Sequence, residues 1–104
     1  MTVTLYHRTG EGWERTVLPD VWARWSRGEA GGVMIPRDDG AESLLLIPWR
    51  EGLALSLGDG VWDGEGPELT AGPLKAQLPE VQIVNKHHLH RPGSPLDHWE
   101  VTAV

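Results

Sequence analysis

The chain of 104 residues has a mass of 11.5 kDa, which suits one domain with one core and leaves no room for a site in a cleft between two domains. Apolar residues make up 39% and charged residues 23%, a globular balance, while 13 Gly and 8 Pro scatter turns along the chain and work against long helices. Nine Lys and Arg against 15 Asp and Glu leave a formal charge of −6, which disfavours a protein that grips nucleic acid by neutralising phosphates. The lack of Cys removes disulfides, thiolate nucleophiles and Cys-type zinc sites together, and is compatible with a reducing cytoplasm. No apolar run reaches the roughly 18 residues of a membrane span, and the opening Met1-Thr2-Val3-Thr4-Leu5-Tyr6 lacks the basic and apolar regions of a signal peptide. The chain is therefore expected to be soluble and to stay where it is made, with no membrane partner.

Val3 and Leu5 alternate with Thr2, Thr4 and Tyr6, the pattern of a strand buried on one face, so a strand is expected over residues 2–8. Gly10-Glu11-Gly12 supplies a turn, and residues 13–18 read as a second strand that pairs with the first. Pro19-Asp20 ends or bends it. Residues 21–25 are too few for their period to separate a strand from a helical turn, and extended structure is the expectation. Residues 27–32 carry Gly28, Gly31 and Gly32 and read as a mobile loop. Val33-Met34-Ile35 and Leu44-Leu45-Leu46-Ile47 flank Arg37-Asp38-Asp39-Gly40, an Asp-Gly hairpin signal, and are expected as the central strands. The second run is apolar on both faces, which predicts burial on both sides.

Residues 53–57 lead into Gly58-Asp59-Gly60, and Val61-Trp62-Asp63 forms a short strand before the Gly64-Glu65-Gly66-Pro67 turn. Residues 70–78 are the helix candidate, with Pro73 in the first turn, Leu74 and Leu78 on one face, and Pro79 as the stop. A long strand starts at Val81 and runs towards His90, a rigid proline loop follows over residues 91–95, and residues 98–104 close the fold. These elements predict an all-β fold, a small barrel or sandwich of roughly six to seven short strands with one short helix, as a single β-barrel-like domain over residues 1–104.

The richest cluster of chemically active side chains is His87, His88 and His90, with Asp97 and His98 beyond the proline loop and His7 on the first strand. On a strand His88 and His90 share a face, and a hairpin could bring His98 opposite, within reach of one divalent ion. The spacing matches no zinc signature, so the expectation is no metal, with His88, His90 and His98 as the alternative. Ser26, Ser43, Ser56 and Ser94 sit in no nucleophile pattern, and no catalytic or cofactor-binding residue is expected. Gly58-Asp59-Gly60 and Gly64-Glu65-Gly66 lack the tails of phosphate or calcium loops and read as turns. Six Trp with one Tyr and no Phe exceed the obvious needs of so small a core. Trp99 is a candidate buried anchor. Trp22 and Trp25, interleaved with Arg24 and Arg27, have the composition of an aromatic interface with a polar rim, with core packing as the alternative.

Four stretches resemble one family, the small minor capsid and head-closure proteins encoded in the head-to-tail region of tailed bacteriophages and prophages. Val3-Thr4-Leu5-Tyr6-His7-Arg8 looks like that family's start, and Trp13-Glu14-Arg15-Thr16-Val17-Leu18 is similar to its second strand. Leu57-Gly58-Asp59-Gly60-Val61-Trp62-Asp63-Gly64 resembles its Gly-Asp turn and short strand. Arg91-Pro92-Gly93-Ser94-Pro95-Leu96-Asp97-His98-Trp99-Glu100-Val101 is similar to its closing stretch with the His-Trp pair. The motifs fall in order over nearly the full chain, which departs from the family in the Gly-rich and acidic residues 31–40.

The resemblance implies a non-enzymatic neck component of the virion, of the connector or head-closure type, with no catalytic residues to carry over. Such a subunit is made in the cytoplasm of the bacterial host and assembles as a homo-oligomeric ring. Its neighbours are the portal or an adaptor on one side and tail proteins on the other, and DNA passes through the lumen without sequence-specific binding. Two other readings of the residues stand beside it: a small metal-dependent β-barrel enzyme using the three histidines, and a monomeric binding module.

Overall fold

The computed structural model describes residues 1–26, 29–30, 33–34, 42–90 and 97–104, the side chains of residues 29, 30, 33, 34 and 90 excepted. The strands are β1 (Val3–Thr9), β2 (Gly12–Leu18), β3 (Trp22–Arg24), β4 (Glu29–Ala30), β5 (Val33–Met34), β6 (Ser43–Pro48), β7 (Gly60–Asp63), β8 (Gln82–His90) and β9 (His98–Ala103), with one helix, α1 (Leu74–Gln77), between β7 and β8. Seven of them form one antiparallel sheet in the order β2-β1-β7-β8-β9-β6-β3, and β4 pairs with β5 apart from it. The fold is all-β, as expected.

The sheet is open in its hydrogen bonding, yet its two end strands are consecutive in the chain. Laid flat, seven strands would hold β2 and β3 about 29 Å apart, at about 4.8 Å per step. The four residue steps from Leu18 to Trp22 reach no further than about 14 Å. The sheet must therefore curl until its ends approach. Asp20, at a φ of 49°, makes the bend after Pro19, and Val21 then exchanges hydrogen bonds of 2.9 Å with Met1 in both directions. Inside the curl lies one apolar cluster that draws on strands far apart in the sheet: Val3 and Leu5 of β1, Leu45 and Ile47 of β6, Val61, Val84 and Val101. Burial of these side chains supplies the force that curls the sheet.

The structure departs from several sequence expectations. β1 is buried on both faces: Thr4 and Tyr6, expected at the surface, are as inaccessible as Val3 and Leu5. A second cluster of Tyr6, Leu74, Leu78 and Val81 covers them, built by the segment after β7 and by α1. Gly60 and Gly66 permit that close approach, because a Cβ at Gly60 would overlap Leu74 and come within 2.9 Å of Val81, and one at Gly66 would overlap the Tyr6 hydroxyl. The helix is four residues long instead of the expected nine, since Pro73 donates no N–H and the Gln77 side chain turns back to hold Thr70 N, Thr70 O and Gly72 O.

Val33–Met34 pairs with Glu29–Ala30 and not with residues 44–47, for both sides of β6 are taken, by β3 and by β9. β6 itself buries Ser43, Leu45 and Ile47 but leaves Leu44 and Leu46 half-buried on its outer face. The full two-sided burial expected of that run does not occur: α1 and its segment pack over β1 and not over β6. The expected loops over residues 27–32 and 91–95 and the Asp38-Asp39-Gly40 turn fall, wholly or in part, outside the described residues.

Candidate functional site

Alternation along β1 places His7 on the same face as Val3 and Leu5, at the strand's far end. There it meets Asp59, which is 1% exposed. The Asp59 carboxylate accepts from His7 Nδ1 at 2.8 Å, from Ser56 N at 2.8 Å and from Arg8 N at 3.3 Å. Its backbone carbonyl accepts from Val84 N at 2.8 Å, so one residue ties β1, β8 and the turn before β7. A carboxylate only accepts, which fixes the Nδ1–H tautomer of His7. This is the orienting half of a general-base device, but among the described residues no serine hydroxyl is bonded to His7, and the buried Ser26 Oγ has no partner. Ser26 N donates to Ser43 Oγ, Ser43 Oγ donates to Gln82 Oε1, and Ser56 gives its N–H to Asp59. The chemistry at Asp59 is that of a structural knot. Sequence reading took Gly58-Asp59-Gly60 as a turn and missed the carboxylate's burial, because its partners His7 and Arg8 stand 52 and 51 positions away in the chain.

The β8–β9 register sets His88 opposite Glu100 and His90 opposite His98. Residues directly opposite share a face, so the hairpin does gather these positions on the outer side of the sheet. His87 lies on the other face, edge-on to Trp99 with ring centroids 5.5 Å apart. Among the described residues no group of three or more His, Asp or Glu side chains converges as a metal site, and the His90 side chain lies outside them.

The tryptophans divide by environment. Trp22 is 50% exposed on the outer face of β3, opposite half-buried Leu46, with exposed Arg24 beside it. Trp25 is half-buried and packs on the large core, so the expected aromatic pair is split between surface and interior. Arg27 lies outside the described residues. Trp99 packs on the same core, and Trp13 and Trp62 pack on the second cluster, Trp13 donating its indole N–H to Gly72 O at 2.8 Å. Arg8 stands over the Trp13 ring at 5.5 Å.

Two of the concavities lie among the described residues. A cleft of about 400 Å³ runs between the β1–β2 turn and residues 71–73, with Arg8, Glu11 and Trp13 on its walls. A smaller groove of about 180 Å³ has Leu18, Val21 and Ile47 at its base, Pro48 and Trp49 at its side, and Asp20 and Arg50 at its rim. Together with the exposed Trp22 these features describe a small all-β protein with concave surface sites and an exposed indole. No protein-family model, curated protein or solved structure matches the chain. Among the described residues no helix is long and apolar enough to cross a membrane.

Proposed function

We propose that the chain is a non-enzymatic structural subunit of a tailed-phage or prophage neck, of the connector or head-closure type, that assembles with copies of itself as a ring between portal and tail. The observation that carries this reading is Trp22, a large ring left half exposed on an end strand, beside Arg24 and the half-buried Leu44 and Leu46. Aromatic and Arg residues of this kind anchor protein interfaces, whereas an isolated monomer gains nothing from leaving an indole in water. The in-order likeness of the four sequence stretches to minor capsid proteins supplies the class of assembly. The charge of −6 suits a lumen through which DNA slides without being held.

Mass spectrometry of purified particles from the encoding phage tests the reading, together with deletion of the gene. The chain should be present at fixed stoichiometry, and deletion should leave filled heads without tails. Intact, infectious particles after deletion would overturn it. The reading as a monomeric binding module is favoured by one feature, the cleft beside Arg8 and Trp13, whose volume falls in the range of small-ligand pockets. A chain that stays monomeric and is absent from particles would support that reading.

A further inference from the structure

β2 bonds to the sheet along one side only. Even-numbered residues of β1 turn their backbone towards β7 and the turn before it, as the bonds from Gly64 N to Thr2 O and from Arg8 N to the Asp59 carboxylate show. Val3, Leu5, His7 and Thr9 therefore bond to their β2 partners Leu18, Thr16, Glu14 and Gly12, and Trp13, Arg15 and Val17 send their N–H and C=O groups the other way. Among the described residues those groups meet no backbone partner. β3 does not cover them. It stands at the other end of the seven-stranded antiparallel order, so it runs in the same direction as β2, and Pro19, Asp20 and Val21 alone join the two. Parallel strands side by side need a connection of about a dozen residues or more, so β3 continues beyond the end of β2 instead of lying along it. Neither Pro, Lys nor a bulge blunts the edge, although these are common defences of an exposed strand.

A second β2, run antiparallel, matches this edge in backbone and side chains. The outward groups at residues 13, 15 and 17 are symmetric about Arg15, so a two-fold axis there brings every outward N–H to an outward C=O. It sets Trp13 opposite the partner's Val17 on one face, an aromatic against a β-branched side chain, and Glu14 opposite the partner's Thr16 on the other. Arg15 meets the partner's Arg15, but each guanidinium is turned back to its own Gly66 O at 2.6 Å and its own Glu65 at 3.4 Å, which supplies a countercharge. An axis at Glu14 would instead set two Glu14 carboxylates face to face, and one at Thr16 would set Trp13 opposite Pro19, which has no N–H. We propose that two copies of the chain pair through β2 with the axis at Arg15, joining their sheets edge to edge. The contact is isologous and closes at two copies, unlike the contact that builds a ring, and it stands independently of the neck reading.

The test is amide hydrogen exchange of the full chain beside sedimentation velocity, over a concentration series up to about 1 mM. In the dilute monomer the amides of Trp13, Arg15 and Val17 should exchange fast while those of Glu14 and Thr16, bonded to β1, are protected. As dimer forms, the three should gain protection together. Val17→Pro removes an outward N–H, leaves the β1 ladder whole, and should weaken pairing about tenfold or more in a protein whose folding is checked by thermal melt. Arg15→Glu should mix with wild type in preference to either self-pairing, by about threefold, because an axis at residue 15 sets that position opposite itself. A wild type that stays monomeric over the whole series overturns the proposal, as does a dimer in which the three amides stay unprotected. So does a folded Val17→Pro protein that pairs like wild type, or an Arg15→Glu protein that shows no preference for wild type. Should either variant fail to fold, the exchange pattern of the wild type decides. The presence or absence of the chain in particles bears on the neck reading alone.

Discussion

His7 Nδ1 lies 2.8 Å from Asp59 Oδ2, and the two residues, 52 positions apart in the chain, close the far end of the core between them. Because the carboxylate also takes two backbone N–H groups, its removal strands several donors at once. Asp59→Ala should cost about 3 kcal/mol or more in a chemical-denaturation measurement, counting roughly 1.5–3 kcal/mol per hydrogen bond to a charged group, while His7→Ala should cost less. Equal and small effects of both changes would show that the knot contributes little.

Tyr6 gives a pH dependence with a definite sign. Burial of its phenol raises the pKa above the ordinary 10.0, with Arg15 pulling the other way, and the hydroxyl donates to Pro67 O at 2.6 Å. Above pH 10.0 the unfolded chain loses this proton before the folded chain does, so the folded state binds more protons and unfolding free energy falls as pH rises. The loss begins near the ordinary value and ends once the folded phenol ionises. Phenolate absorbance follows it directly, since the chain has one Tyr. Tyr6→Phe should abolish this part of the alkaline slope and cost about 0.5–1.5 kcal/mol at neutral pH through the lost hydrogen bond.

Trp22 and Trp25 should respond oppositely to truncation. Trp25→Ala opens a cavity against the core and should cost about 2–4 kcal/mol, whereas Trp22→Ala should stay within about 0.5 kcal/mol of wild type. Trp22→Ala should instead impair particle assembly. A thermal melt beside an assembly assay separates the two, and an unfolded Trp22→Ala protein would remove this residue as an interface candidate.

Zinc titration of untagged, metal-stripped protein, followed by calorimetry, should show no tight stoichiometric complex at the β8–β9 hairpin. A one-to-one complex lost in both His88→Ala and His98→Ala would reverse that expectation and restore the reading of His88, His90 and His98 as ligands.

Local patterning determined the strands of this protein. Alternation at Val3 and Leu5, the glycines around Glu11, the apolar run at residues 44–47 and the closing His98-Trp99 stretch each act within a few residues, where backbone preference and turn chemistry decide the outcome. The same information places His88 and His90 on one face, and a hairpin register then sets His98 across from His90. What a strand buries is decided at longer range. Tyr6 and Thr4 look like surface residues until residues 64–81 fold over them, and Trp25 parts from Trp22 because only one side of β3 meets the core. Asp59 reads as an ordinary turn residue because its partners His7 and Arg8 stand 52 and 51 positions away in the sequence. The tertiary structure alone decides such matters, since burial and charge satisfaction depend on which segments meet when the sheet curls, and one strand's period carries no record of that.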